Sequence, residues 1–152
     1  MNEVNQPDAC VKSAAFERFI RKRLFPVNKY DLLLENQDTP SNTSDDAGAA
    51  KEPYFKFKSR ESGREFCIDA RYLTGVYNAS VEWCQPFELK RYREIDNNVP
   101  VYILIGAGQH PAAPQQVFLF PVKSIRFNKV LHSYIEKYKI STTRSVDEKD
   151  LA

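Results

Sequence analysis

No stretch of this 152-residue sequence approaches the ~20-residue apolar run of a membrane-spanning helix. Its opening segment, MNEVNQPDACVKS, lacks the basic-then-apolar order of a secretory leader. Cysteine is scarce: Cys10, Cys67 and Cys84 are an odd number, widely spaced, with no CxxC pair. That usage argues against a disulfide scaffold and a zinc site, and sets the expectation of reduced thiols in a cytoplasmic protein. An excess of one charge is lacking too. The net charge is +2, so a polyanion would have to meet a local patch rather than the whole surface. No GxGxxG or GKS/T pattern follows Gly106-Ala107-Gly108, which reads as a strand-ending turn rather than a phosphate loop. His110 and His132 stand alone, with no serine or cysteine constellation beside them, so nucleophilic catalysis has no support.

What is present is an ordinary globular composition, 42 % hydrophobic and 28 % charged, enough for one domain around a single core. Asp8 to Leu24 carries Ala15, Phe16, Phe19, Ile20 and Leu24 at helical spacing, with Arg18, Arg21, Lys22 and Arg23 on the other face. Pro26 ends that helix. Tyr30 to Glu35 is an apolar run of strand length. The alternation of Tyr54 to Lys58 and of Arg64 to Tyr72 predicts a hairpin turning at Arg60 to Gly63. In the return strand Phe66, Ile68 and Ala70 point one way, and Glu65, Cys67, Asp69 and Arg71 the other. Leu73 to Cys84 reads as irregular.

Pro86 is placed to open a helix running to about Ile95. Val101 to Ile105 reads as a strand covered on both sides, and Val117 to Ile125 as the last strand, with Pro121 marking an edge or a strand end. Phe127 to Lys139 has helical periodicity through Val130, Leu131, Tyr134, Ile135 and Tyr138. The domain is therefore expected over 8–140, with 36–52 a mobile loop and 141–152 a flexible charged tail.

The candidates for chemistry start with Asp69 and Arg71, which at i, i+2 share one strand face. Taken alone, that spacing is an ion pair on a sheet. Around it stand Phe16-Glu17 in the first helix, Pro53-Tyr54-Phe55 opening the hairpin, and Glu88-Leu89-Lys90-Arg91-Tyr92 on the following helix. In this order the segments resemble the PD-(D/E)XK, or restriction-endonuclease-like, nucleases, with features of the RecB-type branch. The resemblance spans Phe16 to Tyr138. It rests on the order of the motifs rather than on any one of them.

The resemblance implies an α/β fold with a mixed central sheet flanked by helices, in the order αβββαββα. It also implies Mg²⁺ or Mn²⁺ as cofactor and nucleic acid, DNA ahead of RNA, as partner. A membrane is not implied, and a homodimer is left open. It casts Asp69, Arg71 and Glu17 as catalytic, Asp69, Glu17 and Glu65 as metal ligands, and Tyr54, Glu88 and Tyr92 as substrate contacts. Asp31 and Glu35 are further acids within range, with Asp45 and Asp46 more remote.

Three positions depart from the family pattern. The acid after the proline is Tyr54, the lysine is Arg71, and the helix glutamine is Glu88. A phenol is a poor Mg²⁺ ligand, and a guanidinium does not give up a proton. The expectation is therefore a nuclease-like protein with weak or lost phosphodiesterase activity that acts on or binds nucleic acid. The alternative is a non-catalytic protein-interaction module on the same fold. The Arg18–Arg23 and Lys90–Arg93 clusters would line one nucleic-acid groove only if both lay on the Asp69 side.

Overall fold

A computed structural model describes residues 10–11, 14–36, 54–73 and 80–151. Its framework is a seven-stranded mixed sheet. The strands are β1 (Cys10–Val11), β2 (Tyr30–Asn36), β3 (Tyr54–Ser59), β4 (Glu65–Leu73), β6 (Val101–Ala107), β7 (Gln116–Pro121) and β9 (Lys139–Ile140). A separate pair joins β5 (Ser80–Glu82) to β8 (Lys129–Leu131). The main sheet runs β2-β3-β4-β6-β7-β9, with β1 pairing the far end of β4. Strands β2, β3 and β4 form an antiparallel meander, while β4 and β6 are parallel. A parallel pair needs a crossover, and helix α2 (Pro86–Asp96) supplies it. The expected α/β class, with helices flanking a mixed sheet, is the class observed.

The alternation read in β4 sorts the core into two layers. Phe66, Ile68, Ala70 and Tyr72 join Phe16, Ile20, Leu24, Phe57 and Leu104 on one face. Cys67 and Leu73 join Leu89, Tyr92, Ile103, Ile105 and Phe120 on the other. Helix α1 (Ala14–Phe19), continued by a π-helical turn over Ile20–Leu24, covers the first face. It seats closely because position 106 is glycine: a Cβ there would lie 2.6 Å from the Phe16 ring. Helix α2 covers the second face.

Several expected boundaries change. The first helix begins at Ala14, and Cys10–Val11 is strand. Leu73 to Cys84 is not wholly irregular, since Ser80–Glu82 pairs with Lys129–Leu131. Strand β7 stops at Pro121, after which Val122–Ser124 forms a 3-10 turn. The closing helix over Phe127 to Lys139 shrinks to α3 (His132–Ile135) and a 3-10 turn at Glu136–Tyr138. Its periodic stripe was misleading, because Phe127 is 69 % and Leu131 55 % exposed. The mobile loop expected over 36–52 lies, apart from Asn36, outside the described residues, and Asp45 and Asp46 lie there with it.

The flexible tail is the larger correction. Val146 and Leu151 are buried in the α1-side core. The Tyr30 hydroxyl donates to the Val146 carbonyl at 2.6 Å, and the Tyr102 hydroxyl donates to that of Leu151. Val146 N–H reaches the Leu24 carbonyl at 2.9 Å. Lys29 pairs with Asp147 at 2.8 Å. Residues 141–151 thus belong to the domain. Burying each of the two aliphatic side chains contributes about 1.5–3 kcal/mol. A chain ending at Ile140 should lose a comparable sum in chemical denaturation, where a mobile tail would predict an unchanged midpoint.

Candidate functional site

The crossover brings four of the expected site residues together. Asp69 and Arg71 rise from β4 toward α2, and Glu88 and Tyr92, one turn apart on α2, come down to meet them. Arg71 Nε donates to Asp69 Oδ2 at 2.9 Å, and Arg71 Nη2 lies 3.2 Å from the Tyr92 hydroxyl and 3.4 Å from Glu88 Oε2. The Tyr92 hydroxyl donates to Asp69 Oδ1 at 2.8 Å. The other Glu88 oxygen accepts the Gln85 backbone N–H at 2.8 Å. Glu88 therefore closes the helix N-terminus and holds the guanidinium at once. Trp83 stacks on Tyr92 with centroids 6.2 Å apart.

The cluster is sealed. Asp69, Glu88 and Tyr92 are each 1 % exposed, and Arg71 is 7 % exposed. Burial pushes the Asp69 carboxyl above its ordinary range, against the pull of Arg71 and the Tyr92 hydroxyl, and the charge on Glu88 adds to the rise. Burial, followed by the charge on Asp69, pushes the Tyr92 phenol upward as well, so it stays a donor. Two carboxylates share one guanidinium in a medium that penalises net charge.

The remaining expected residues lie elsewhere. Glu17 sits on α1, which covers the opposite face of the sheet. Glu65 begins β4 on the Asp69 side, four residues away, and pairs with Lys56 at 3.2 Å. Asp31 pairs with Arg60 at 2.8 Å and Glu35 with Arg21 at 3.1 Å. Backbone pairing sets Tyr54 directly opposite Asp69, and the side chain of Tyr54 lies outside the described residues.

A divalent cation does not fit this donor set. Mg²⁺ takes oxygen ligands at about 2.0–2.1 Å, yet both Asp69 oxygens already accept donors from Arg71 and Tyr92. The positive group beside Asp69 is Arg71. Among the described residues no group of three His, Cys, Asp or Glu side chains is arranged to hold a metal. The metal set Asp69, Glu17 and Glu65 is thus not assembled.

One feature on this side of the sheet escaped the sequence reading. A groove of about 540 Å³ runs between α2 and the segment before β8, lined by Lys90, Arg93, Arg126 and Phe127 among others. Helical periodicity over Phe127 to Lys139 predicts a covered ring at Phe127, yet it is 69 % exposed.

No family model matches the chain, and no curated protein matches it. Among solved structures, the human Nocturnin catalytic domain with bound sulfate overlaps 52 % of this chain and 30 % of that one, at 17 % identity and a TM-score of 0.30. The chain spans under a third of that protein's length, and so loose an overlap assigns neither fold nor activity. Among the described residues no helix is long and apolar enough to cross a membrane.

The cluster predicts a sign for pH dependence. The native state holds the Asp69 proton more tightly than the unfolded chain does, so this contribution is complete below the ordinary carboxylate pKa of about 3.9. It declines as pH rises from there toward the raised native value. Relative to Asp69→Asn, the parent protein should lose stability as pH is raised through that window, read from melting temperatures across a pH series. Arg71→Met leaves two buried carboxylates without a cation and should cost about 3–5 kcal/mol in denaturant unfolding.

Proposed function

We propose that this chain is a nuclease-like module that binds nucleic acid without cutting it, on a PD-(D/E)XK-like scaffold whose catalytic position has become a structural ion cluster. The observation that carries the reading is the Arg71 guanidinium, enclosed by Asp69, Glu88 and Tyr92. Phosphodiester hydrolysis by the family scheme needs metal-held water at an accessible carboxylate, and Asp69 is 1 % exposed.

The α2 groove supports the binding half. It lies on the Asp69 side of the sheet, where, among the described residues, Lys90, Arg93 and Arg126 offer three cations against the single carboxylate of Glu94. Phe127 presents a ring to solvent in the groove, and Phe87 is 52 % exposed one turn before Lys90 on α2. Cations for phosphates beside exposed rings for bases suit a single strand, whose bases are unpaired and free to stack. The Arg18–Arg23 cluster is on the opposite face and does not extend this groove.

Fluorescence anisotropy with a labelled oligothymidylate tests the binding. Three phosphate contacts predict a log–log salt slope of about −2 for a single strand. Phe127→Ala should weaken binding by about 1–3 kcal/mol, the worth of one stacked base. In parallel, the oligonucleotide should survive incubation with Mg²⁺ or Mn²⁺. Cleavage that disappears in Asp69→Asn would restore the catalytic reading, and absence of salt-sensitive binding would remove the nucleic-acid one.

A further inference from the structure

On the opposite side of the sheet, β2 is the outermost strand of its path, paired on its inner edge with β3. Among the described residues no strand pairs with its outer edge. A bare strand edge is a row of unmet backbone donors and acceptors, which proteins usually shield. Here it is flanked by apolar surface: Val27 is 72 % exposed, and Leu33 and Leu34 are close to half exposed. The register slips between Leu32 and Leu34, so the strand bends there.

Beside this edge, between the π-helical turn and the sheet, is a groove of about 450 Å³. Its floor is apolar, made by Phe25, Pro26, Val27, Leu32 and Phe57, and its rim carries Arg18, Arg21 and Lys22. Among the described residues no carboxylate lines it. Glu35 engages Arg21, while Arg18 and Lys22 have no acidic partner among the described residues.

We propose that the β2 edge and this groove dock an extended, acidic-and-apolar peptide segment of a partner protein by strand addition. A strand laid beside β2 takes up its outward backbone groups, and every second side chain then falls on the groove side. Apolar side chains meet Val27 and Leu32, and carboxylates meet Arg18 and Lys22. Two observations select this occupant. Twofold pairing with a second copy would bring the same basic rim against itself, placing like charges together. The rings in the floor, Phe25 and Phe57, are buried and present no face for a base, unlike Phe127. The proposal stands apart from the nucleic-acid reading, since the two grooves lie on opposite faces of the sheet.

The test uses the whole chain and a fluorescein-labelled Leu-Thr-Glu-Thr repeat (the Leu–Glu peptide), which sets Leu and Glu in turn on one strand face, with the Leu-Thr-Lys-Thr repeat (the Leu–Lys peptide) as its charge-reversed counterpart. The Leu–Glu peptide should bind with an affinity that falls as salt is raised, and the Leu–Lys peptide should not bind. Lys22→Glu and Val27→Asp, both at exposed positions and expected to leave the melting temperature unchanged, should each weaken binding about tenfold. Neither should alter oligothymidylate affinity. Methylating alternate peptide nitrogens should abolish binding in one frame and spare it in the other, as strand addition requires. Failure of the Leu–Glu peptide to bind, equal binding of both peptides, or indifference to both substitutions would overturn the proposal. So would insensitivity to methylation in both frames, or a dimer that Val27→Asp dissociates.

Discussion

One guanidinium, shared by two carboxylates and a tyrosine hydroxyl in a sealed space, ties the sheet to its crossover helix. Arg71 is the element that makes this arrangement tolerable. Without it, Asp69 and Glu88 would face each other across a medium that screens charge poorly. With it, each charge has a partner, and Tyr92 satisfies a further carboxylate oxygen at 2.8 Å. The fixed fork of arginine can address several acceptors at once, which the single ammonium of a lysine does less well. Such a cluster adds little net stability over an apolar core, yet breaking it is costly. It joins α2 to β4, and both Asp69 oxygens accept its donors.

The two-faced sheet sets what else the molecule can do. The alternation of β4 sends Asp69 and Arg71 to α2 and sends Phe66, Ile68 and Ala70 to α1. Every residue carried by α1 therefore belongs to a different surface from the cluster. Glu17 is removed from any joint site with Asp69 for that reason, and the two basic clusters become the rims of two separate grooves. One rim stands beside an exposed ring, the other beside a strand edge with no pairing strand among the described residues.

Much of this was legible in the sequence. Period-two alternation placed the hairpin and both faces of β4, Pro86 marked the start of α2, and the i, i+4 spacing of Glu88 and Tyr92 put them on one helix face. Those signals are local, and local signals survive folding. Glu17 misled because the side of the sheet a helix covers is set by chain crossover, which no short pattern records. The stripe from Phe127 to Tyr138 misled because Val130 pairs with Val81 in a two-stranded ribbon, so tertiary pairing overrode helical periodicity. The tail misled because Val146 and Leu151 are lone apolar residues in a polar stretch. Their burial depends on hydroxyls of Tyr30 and Tyr102, far away in the chain.

In the proposed function, Arg71 stands beside Asp69 where a working nuclease would hold a metal ion. Thermal unfolding in Mn²⁺ against a chelator separates the two, because a bound ion stabilises the native state by mass action. The cluster predicts the same melting temperature in both conditions. A Mn²⁺-dependent rise that Asp69→Asn abolishes would contradict it.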